Sequence, residues 1–157
     1  GFLREFFDAD WRPAGGDAGR LVEPGHQFEW AWLLTRWGRA RGDDAVLAAA
    51  RRLYDVGLRG LSASRGVAID ELDDSLGVRS ARARLWPQTE RIKAAMIMGQ
   101  TDHAAQALRG LQAYLEPTGL WRDKQEPDGG FIAEPAPASS LYHIVGAWLE
   151  VRESVGA

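Results

Sequence analysis

The sequence predicts an all-α fold built from antiparallel helix pairs. Apolar residues recur at helical spacing in five separate stretches. Helix stop and start signals separate them, such as Gly42-Asp43-Asp44 and Gly99. The connections also alternate in length. They are short between the first and second stretches and between the third and fourth, and long after the second and fourth. Repeated pairs of this kind build α/α toroids or solenoids.

Residues 1–23 mix aromatics with the turn formers Pro13, Gly15, Gly16 and Gly19, and read as a short strand pair or loop. Helix one runs from about His26 to Arg41, with Phe28, Trp32, Leu33 and Trp37 on one face. Gly42-Asp43-Asp44 stops it and caps helix two, which runs from about Ala45 to Leu61 with Leu47, Leu53, Tyr54 and Leu58 apolar. The long connection 62–85 holds a strand-like piece, Gly66-Val67-Ala68-Ile69, then Asp70, Asp73 and Asp74. Helix three starts near Trp86-Pro87, where a first-turn proline costs no hydrogen bond, and ends at Gly99. Asp102 is the expected cap of helix four, which reaches about Leu115. In the second long connection, Gly119–Asp123 and Gly130–Ala133 are expected to pair as a hairpin across Pro127-Asp128-Gly129. Helix five covers about Ser139 to Glu153.

The chain of 157 residues is long enough for one core, and we treat 1–157 as a single domain. Apolar residues make up 45% and charged residues 26%, which argues against disorder. A net charge of −3 suggests no nucleic-acid or membrane surface. No apolar run approaches about 18 residues, the length of a membrane-spanning helix. The absence of cysteine excludes disulfides, thiolate nucleophiles and cysteine zinc sites, and fits a reducing cytoplasm. No signal peptide is visible, and the opening Gly1-Phe2-Leu3, without an initiator Met, reads as the interior of a longer protein. Seven tryptophans are many for this length, and an indole face is a common platform for a sugar ring.

The chemistry-bearing residues gather at helix starts. Glu23-Pro24-Gly25-His26-Gln27-Phe28-Glu29-Trp30 puts an imidazole and a carboxylate three residues apart, on one helix face. Glu29 is therefore the expected orienting partner of His26. A second histidine, His143, follows Ser139-Ser140-Leu141-Tyr142 at the start of helix five. Trp86, Gln88, Glu90 and Arg91 stand at the start of helix three. Helices one, three and five are equivalent members of successive pairs, so their starts are expected to face one cavity. Trp30, Trp32 and Trp37 are expected in the core, and His103 on the surface. His-x-x-Glu can hold a metal, but only two ligands are in view, so none is expected. The acidic run at Asp70-Glu71-Asp73-Asp74 lacks the glycine and closing Glu of an EF-hand loop and reads as solvated.

Three segments resemble the N-acylglucosamine 2-epimerase superfamily: Glu23–Trp30, Leu85-Trp-Pro-Gln-Thr-Glu-Arg91 and Pro137-Ala-Ser-Ser-Leu-Tyr-His143. That superfamily includes sugar 2-epimerases, cellobiose 2-epimerases and mannose or mannose-6-phosphate isomerases. Its members are longer and close an (α/α)6 barrel, so the resemblance implies that this chain is the C-terminal half of such a toroid. By the same resemblance, His26 and His143 match the two proton-transferring histidines, and Glu29 the acidic partner of the first. Trp86 and Glu90 match aromatic and acidic pocket residues. Arg91 beside them and Trp121 on the hairpin complete the expected substrate-binding set. The ending Pro137–His143 is closer to the aldose–ketose isomerase branch.

The chemistry suits those residues. Isomerisation or 2-epimerisation of a sugar removes the proton beside a carbonyl and returns it elsewhere. Imidazole, with an ordinary pKa of about 6.5, serves as base and acid near neutrality. This logic requires no metal or other cofactor. The expected partner is a monosaccharide or sugar phosphate, together with either the missing N-terminal half or a second copy of the chain. The competing readings are a sugar 2-epimerase and a non-catalytic helical toroid that binds carbohydrate or protein. Two histidines at equivalent helix starts favour the enzyme, because a scaffold does not need them.

Overall fold

The structure, a computed structural model, describes residues 1–156. Its helices are α1 (Pro24–Arg41), α2 (Asp44–Arg59), α3 (Leu85–Ile97), α4 (Thr101–Gln112) and α5 (Ser139–Val155). Four strands of two or three residues lie in the connections: β1 (Glu71–Leu72), β2 (Val78–Ser80), β3 (Ala83–Arg84) and β4 (Lys124–Gln125). β1 pairs antiparallel with β2, and β3 with β4.

Local chemistry sets the helix ends. Pro24 opens α1, where its missing N–H is no loss. Gly42 ends it in the left-handed region, at φ 64°, a conformation glycine adopts without penalty. Asp43 then caps α2, its Oδ1 accepting from the Ala45 and Val46 amides at 3.0 and 3.1 Å. Asp102 does not cap α4 as expected. It is the second residue of the helix, and the cap position belongs to Gln100, whose side chain makes no capping bond. A side chain inside the first turn meets the helix dipole but is misplaced for capping.

The helices form two layers. α3 packs against α1 on one side, α5 on the other and α4 behind. α2 covers α1. α1, α3 and α5 thus make one layer, with α2 and α4 outside it, as the alternating connections predict. α3 sits at the centre, and Pro87 through Ala95 are all buried. One core cluster gathers Val67, Leu85, Ile92, Leu111 and Tyr114. A second gathers Phe28, Tyr54, Ala68, Ala94 and Ala95.

The expected strand at 66–69 is held by backbone bonds to residues 60–62 and by side chains of α3. It forms a single bridge, between Leu61 and Ala68. Gln88 Oε1 accepts from the Ala68 amide at 2.7 Å, and Gln88 Nε2 donates to the Ala68 carbonyl at 2.8 Å. A buried amide side chain thus replaces a missing strand neighbour and satisfies backbone groups that water cannot reach.

The downstream hairpin uses a different register from the expected one. Phe131 bridges to Gln125 across Pro127-Asp128-Gly129, while Trp121 turns back to Leu115. The first arm of the hairpin is therefore residues 124–126, because β4 is already aligned by β3. Residues 1–23 hold one internal bridge, Phe7 to Pro13, a second from Val22 to Leu72, and a 3₁₀ turn at Ala18–Arg20. Trp30 and Trp37 are exposed, contrary to the core placement expected for them, because the described residues around them cover each ring only in part. The acidic run is ion-paired: Asp70 meets Arg84, Asp74 meets Arg20 and Arg4, and Asp73 closes its own turn on Ser75 and Gly77.

Candidate active site

The N-terminal ends of α1, α3 and α5 meet at one cavity of about 520 Å³. His26, Glu29, Arg84, Trp86, Tyr142 and His143 line it, with Asp123, Lys124 and Ser140 along one edge. A volume of this order accommodates a monosaccharide. The Trp86 indole lies between the two imidazoles, with centroids 4.8 Å from His26 and 5.6 Å from His143. The two histidines, more than a hundred residues apart in sequence, therefore stand across one cavity.

Each imidazole is anchored by a carboxylate at Nδ1. His26 Nδ1 lies 2.7 Å from Glu5 Oε2 and 3.6 Å from Glu23 Oε2. His143 Nδ1 lies 2.8 Å from Glu90 Oε1. A carboxylate only accepts, so in both rings Nδ1 carries the proton and Nε2 is left for another partner. The hydrogen bond that His26 donates to Glu5 raises the His26 pKa above its ordinary value. Burial opposes this, and the charges of Glu5, Glu23 and Glu29 add to it. Burial raises the Glu23 pKa, against the pull of Arg84 and His26. Burial likewise pushes Asp123 up, although Ser140 donates to it at 3.3 Å.

Arg84 ties the floor together. Its guanidinium donates to Asp70 Oδ1 and to Glu23 Oε2, each at 2.9 Å, and lies 5.4 Å from the Trp86 ring centroid. Glu5, Glu23 and His26 approach one another closely enough to share a cation. Arg84 already supplies the countercharge there, and the His26 proton shared with Glu5 occupies the Nδ1 position a metal would take.

The expected site residues are thus sorted. His26, Glu29, Trp86 and His143 come together at the cavity. Glu29 is not the hydrogen-bonding partner of His26. Glu5, carried in by the N-terminal segment, satisfies Nδ1, and the Glu29 carboxylate faces the cavity. Glu90 does not line the cavity; fully buried, it stands behind His143. Arg91 is corrected outright. It is buried on the far side of α3, donating to the Gly66 carbonyl at 2.9 Å and to Gln106 at 3.3 Å. One turn of α3 separates Gln88 from Arg91, and the two together hold the 66–69 segment rather than a sugar. Trp121 is corrected too, because it packs against the core around Leu85 and Tyr114. His103, expected to be solvated, hydrogen-bonds the buried Tyr54 hydroxyl at 2.9 Å.

Sequence reasoning missed Glu5, Arg84 and Lys93. Glu5 lies in an aperiodic segment and carries no signal. Lys93 carried one: a lysine inside the apolar run Ile92-Lys93-Ala94-Ala95 needs a buried partner.

The N-acylglucosamine 2-epimerase family model matches residues 1–147. The chain belongs to that family. A mannose-6-phosphate isomerase of Rhizobium meliloti (strain 1021) is 46% identical over 166 residues, covering 98% of this chain and 43% of that protein. Among solved structures, a D-mannose isomerase superposes with a TM-score of 0.76 at 20% identity, over 85% of this chain and 37% of that one. The cellobiose 2-epimerase of Bacillus thermoamylovorans B4167 also gives 0.76, at 9% identity, over 88% and 41%. The chain thus spans less than half the length of these relatives. Its paired helices are part of the (α/α)6 toroid.

Proposed function

We propose that the protein carrying this chain is a sugar aldose–ketose isomerase, converting mannose or mannose-6-phosphate to the fructose form, and that the chain is the C-terminal half of its barrel. The observation behind this is the pair of imidazoles at one cavity, each with Nδ1 committed to a carboxylate and Nε2 free. The relative at 46% identity supports the mannose series.

The two histidines divide the work by environment. Three carboxylates surround His26 and favour its charged form, so it is the acid that polarises the sugar carbonyl oxygen. The single carboxylate next to His143 is Glu90, itself neutralised by Lys93, which leaves His143 the base. His143 Nε2 takes the proton from C2 of the open-chain aldose as the C1–C2 enediolate forms. The proton on Nε2 exchanges with solvent before His143 delivers it to C1, while the O2 hydrogen passes to O1. Trp86 supplies the face on which the sugar lies. The same two imidazoles suit a 2-epimerase, which needs a donor on each face of the enediolate.

The test is the full-length protein assayed on mannose, mannose-6-phosphate and N-acetylglucosamine. Aldose–ketose conversion of a mannose substrate is expected, with solvent deuterium entering at C1 of the product. His143→Asn should lower turnover by about 10²–10⁴-fold, the usual share of general acid–base catalysis. Near-normal turnover in that variant removes His143 from the mechanism. Conversion of N-acetylglucosamine alone selects the epimerase.

A further inference from the structure

Behind His143 lies a buried charge that the chemistry above does not use directly. Lys93 is 3% exposed and Glu90 fully buried, deep in the central helix α3. The Lys93 ammonium lies 2.6 Å from Glu90 Oε2, while Glu90 Oε1 takes the His143 Nδ1 hydrogen bond at 2.8 Å. The two oxygens of one carboxylate are thus divided between a lysine and the candidate base. Lys93 is held in turn. Its ammonium sits 4.2 Å from the Trp32 ring centroid, over the indole face. The Trp32 Nε1 hydrogen is donated to Glu150 Oε2 at 2.8 Å, and Arg36 pairs with the same oxygen at 3.3 Å. The lysine is therefore fixed from α1 and α5 as well as from its own helix.

Burying a carboxylate and an ammonium is costly unless each has a partner. Two neutral residues at positions 90 and 93 would fill the space without that cost. We propose that Lys93 is a positioning residue of this site: it supplies the countercharge that keeps the Glu90 carboxylate charged and fixed, so that Glu90 pins the His143 ring with Nδ1–H inward and Nε2 toward the substrate. The inference rests on the reading of His143 as the base.

With Lys93 neutralised, Glu90 is a buried carboxylate whose nearest source of positive charge is His143 or a proton from water. Either outcome spoils the base. A protonated Glu90 no longer compels Nδ1–H on the ring, and an imidazolium clamped by Glu90 has no lone pair at Nε2. The charged groups facing His143 are Glu90 on α3, His26 and Glu29 across the cavity on α1, and Arg84, Asp123 and Lys124 along the cavity wall. Of these only Glu90 touches the ring nitrogen, so Lys93 acts through it.

The test compares Lys93→Met, Lys93→Arg, Glu90→Gln and the double variant Glu90→Gln/Lys93→Met in the full-length protein. Imidazole ¹⁵N shifts read the His143 ring state directly, with His143→Gln assigning the resonance. Wild type should show the neutral ring with hydrogen at Nδ1. Lys93→Met should lose that signature at the same pH, and kcat should fall by about tenfold or more with KM little changed. Lys93→Arg should restore both in large part. The double variant removes both buried charges, so it stays folded even if Lys93→Met alone is too unstable to assay, and its kcat should match Glu90→Gln rather than the product of the two losses. Lys93→Met with an unchanged ring state and kcat within about twofold overturns the proposal, as does a double variant whose losses multiply. Failure of the isomerase reading looks different: His143→Gln would keep its turnover while the ring-state comparison stayed intact.

Discussion

Gly25 should be the most sensitive backbone position of the site, and replacing it by alanine tests the placement of Trp86. Gly25 is the second residue of α1, and on helix propensity alone Gly→Ala should stabilise by up to about 1 kcal/mol. The packing says otherwise. A Cβ at Gly25 would stand 2.5 Å from Trp86 Cη2, 2.8 Å from Cζ3 and 3.0 Å from Pro87 Cγ. Restoring an ordinary contact of 3.4 Å would move the indole by about 0.9 Å. The ring has nowhere to go without disturbing the imidazoles, at 4.8 and 5.6 Å, or the Arg84 guanidinium. Overpacking of this kind costs about 1–3 kcal/mol. The net effect should be destabilising by about 1–2 kcal/mol after the propensity gain. For a chain of this size that lowers the melting temperature by roughly 2–8 °C. Turnover should fall further than stability suggests, by up to about 10²-fold, because a shift of about 1 Å at a site is that costly. Gly146→Ala on α5 is the matched control. Its Cβ would meet only Lys93 Cδ, at 3.8 Å, so it should stabilise slightly. Differential scanning calorimetry of the 157-residue chain and a mannose–fructose assay of the full-length protein read both variants. A Gly25→Ala protein that melts at or above wild type with full turnover would refute the argument that this glycine makes room for the indole.

The raised His26 pKa makes part of the stability pH-dependent: that part is fully present below the unfolded value of about 6.5 and is lost as pH rises through the folded value. Melting curves from mildly acidic to alkaline pH should show wild type losing stability relative to His26→Gln, and parallel curves would contradict the Glu5 pairing. Phe28→Ala should cost about 3–5 kcal/mol in denaturant unfolding, because Phe28 is fully buried against Tyr54 at 5.6 Å, and a loss under about 1 kcal/mol would mean that the site collapses. The purified 157-residue chain should self-associate in light scattering and show no isomerase activity, because Trp30, Leu33 and Trp37 on α1 and Leu141, Val145 and Trp148 on α5 expose apolar surface worth about 25 cal/mol per Å² when covered; an active monomer would contradict it.

The helices were legible because their signals are local. Apolar period, Gly42 with Asp43, and Pro24 each act within one or two turns, and all five helices lie close to where the pattern puts them. The same locality placed His26, Trp86 and His143 at helix starts, and the alternating connections put those helices in one layer. What the sequence by itself determined, then, was the paired-helix architecture and the imidazoles at its equivalent ends. The tertiary structure decided which groups hold those imidazoles. Glu29 is the helical neighbour of His26, yet Glu5 accepts its Nδ1 hydrogen bond, because a folded-back segment without periodicity delivers a carboxylate from 21 residues away. Glu90 and Arg91 are adjacent in sequence, yet one backs His143 and the other faces Gly66, because successive residues on a fully buried helix point to different neighbours. Hydrogen bonding between distant segments depends on where whole elements come to rest, and no local pattern of residues encodes that position.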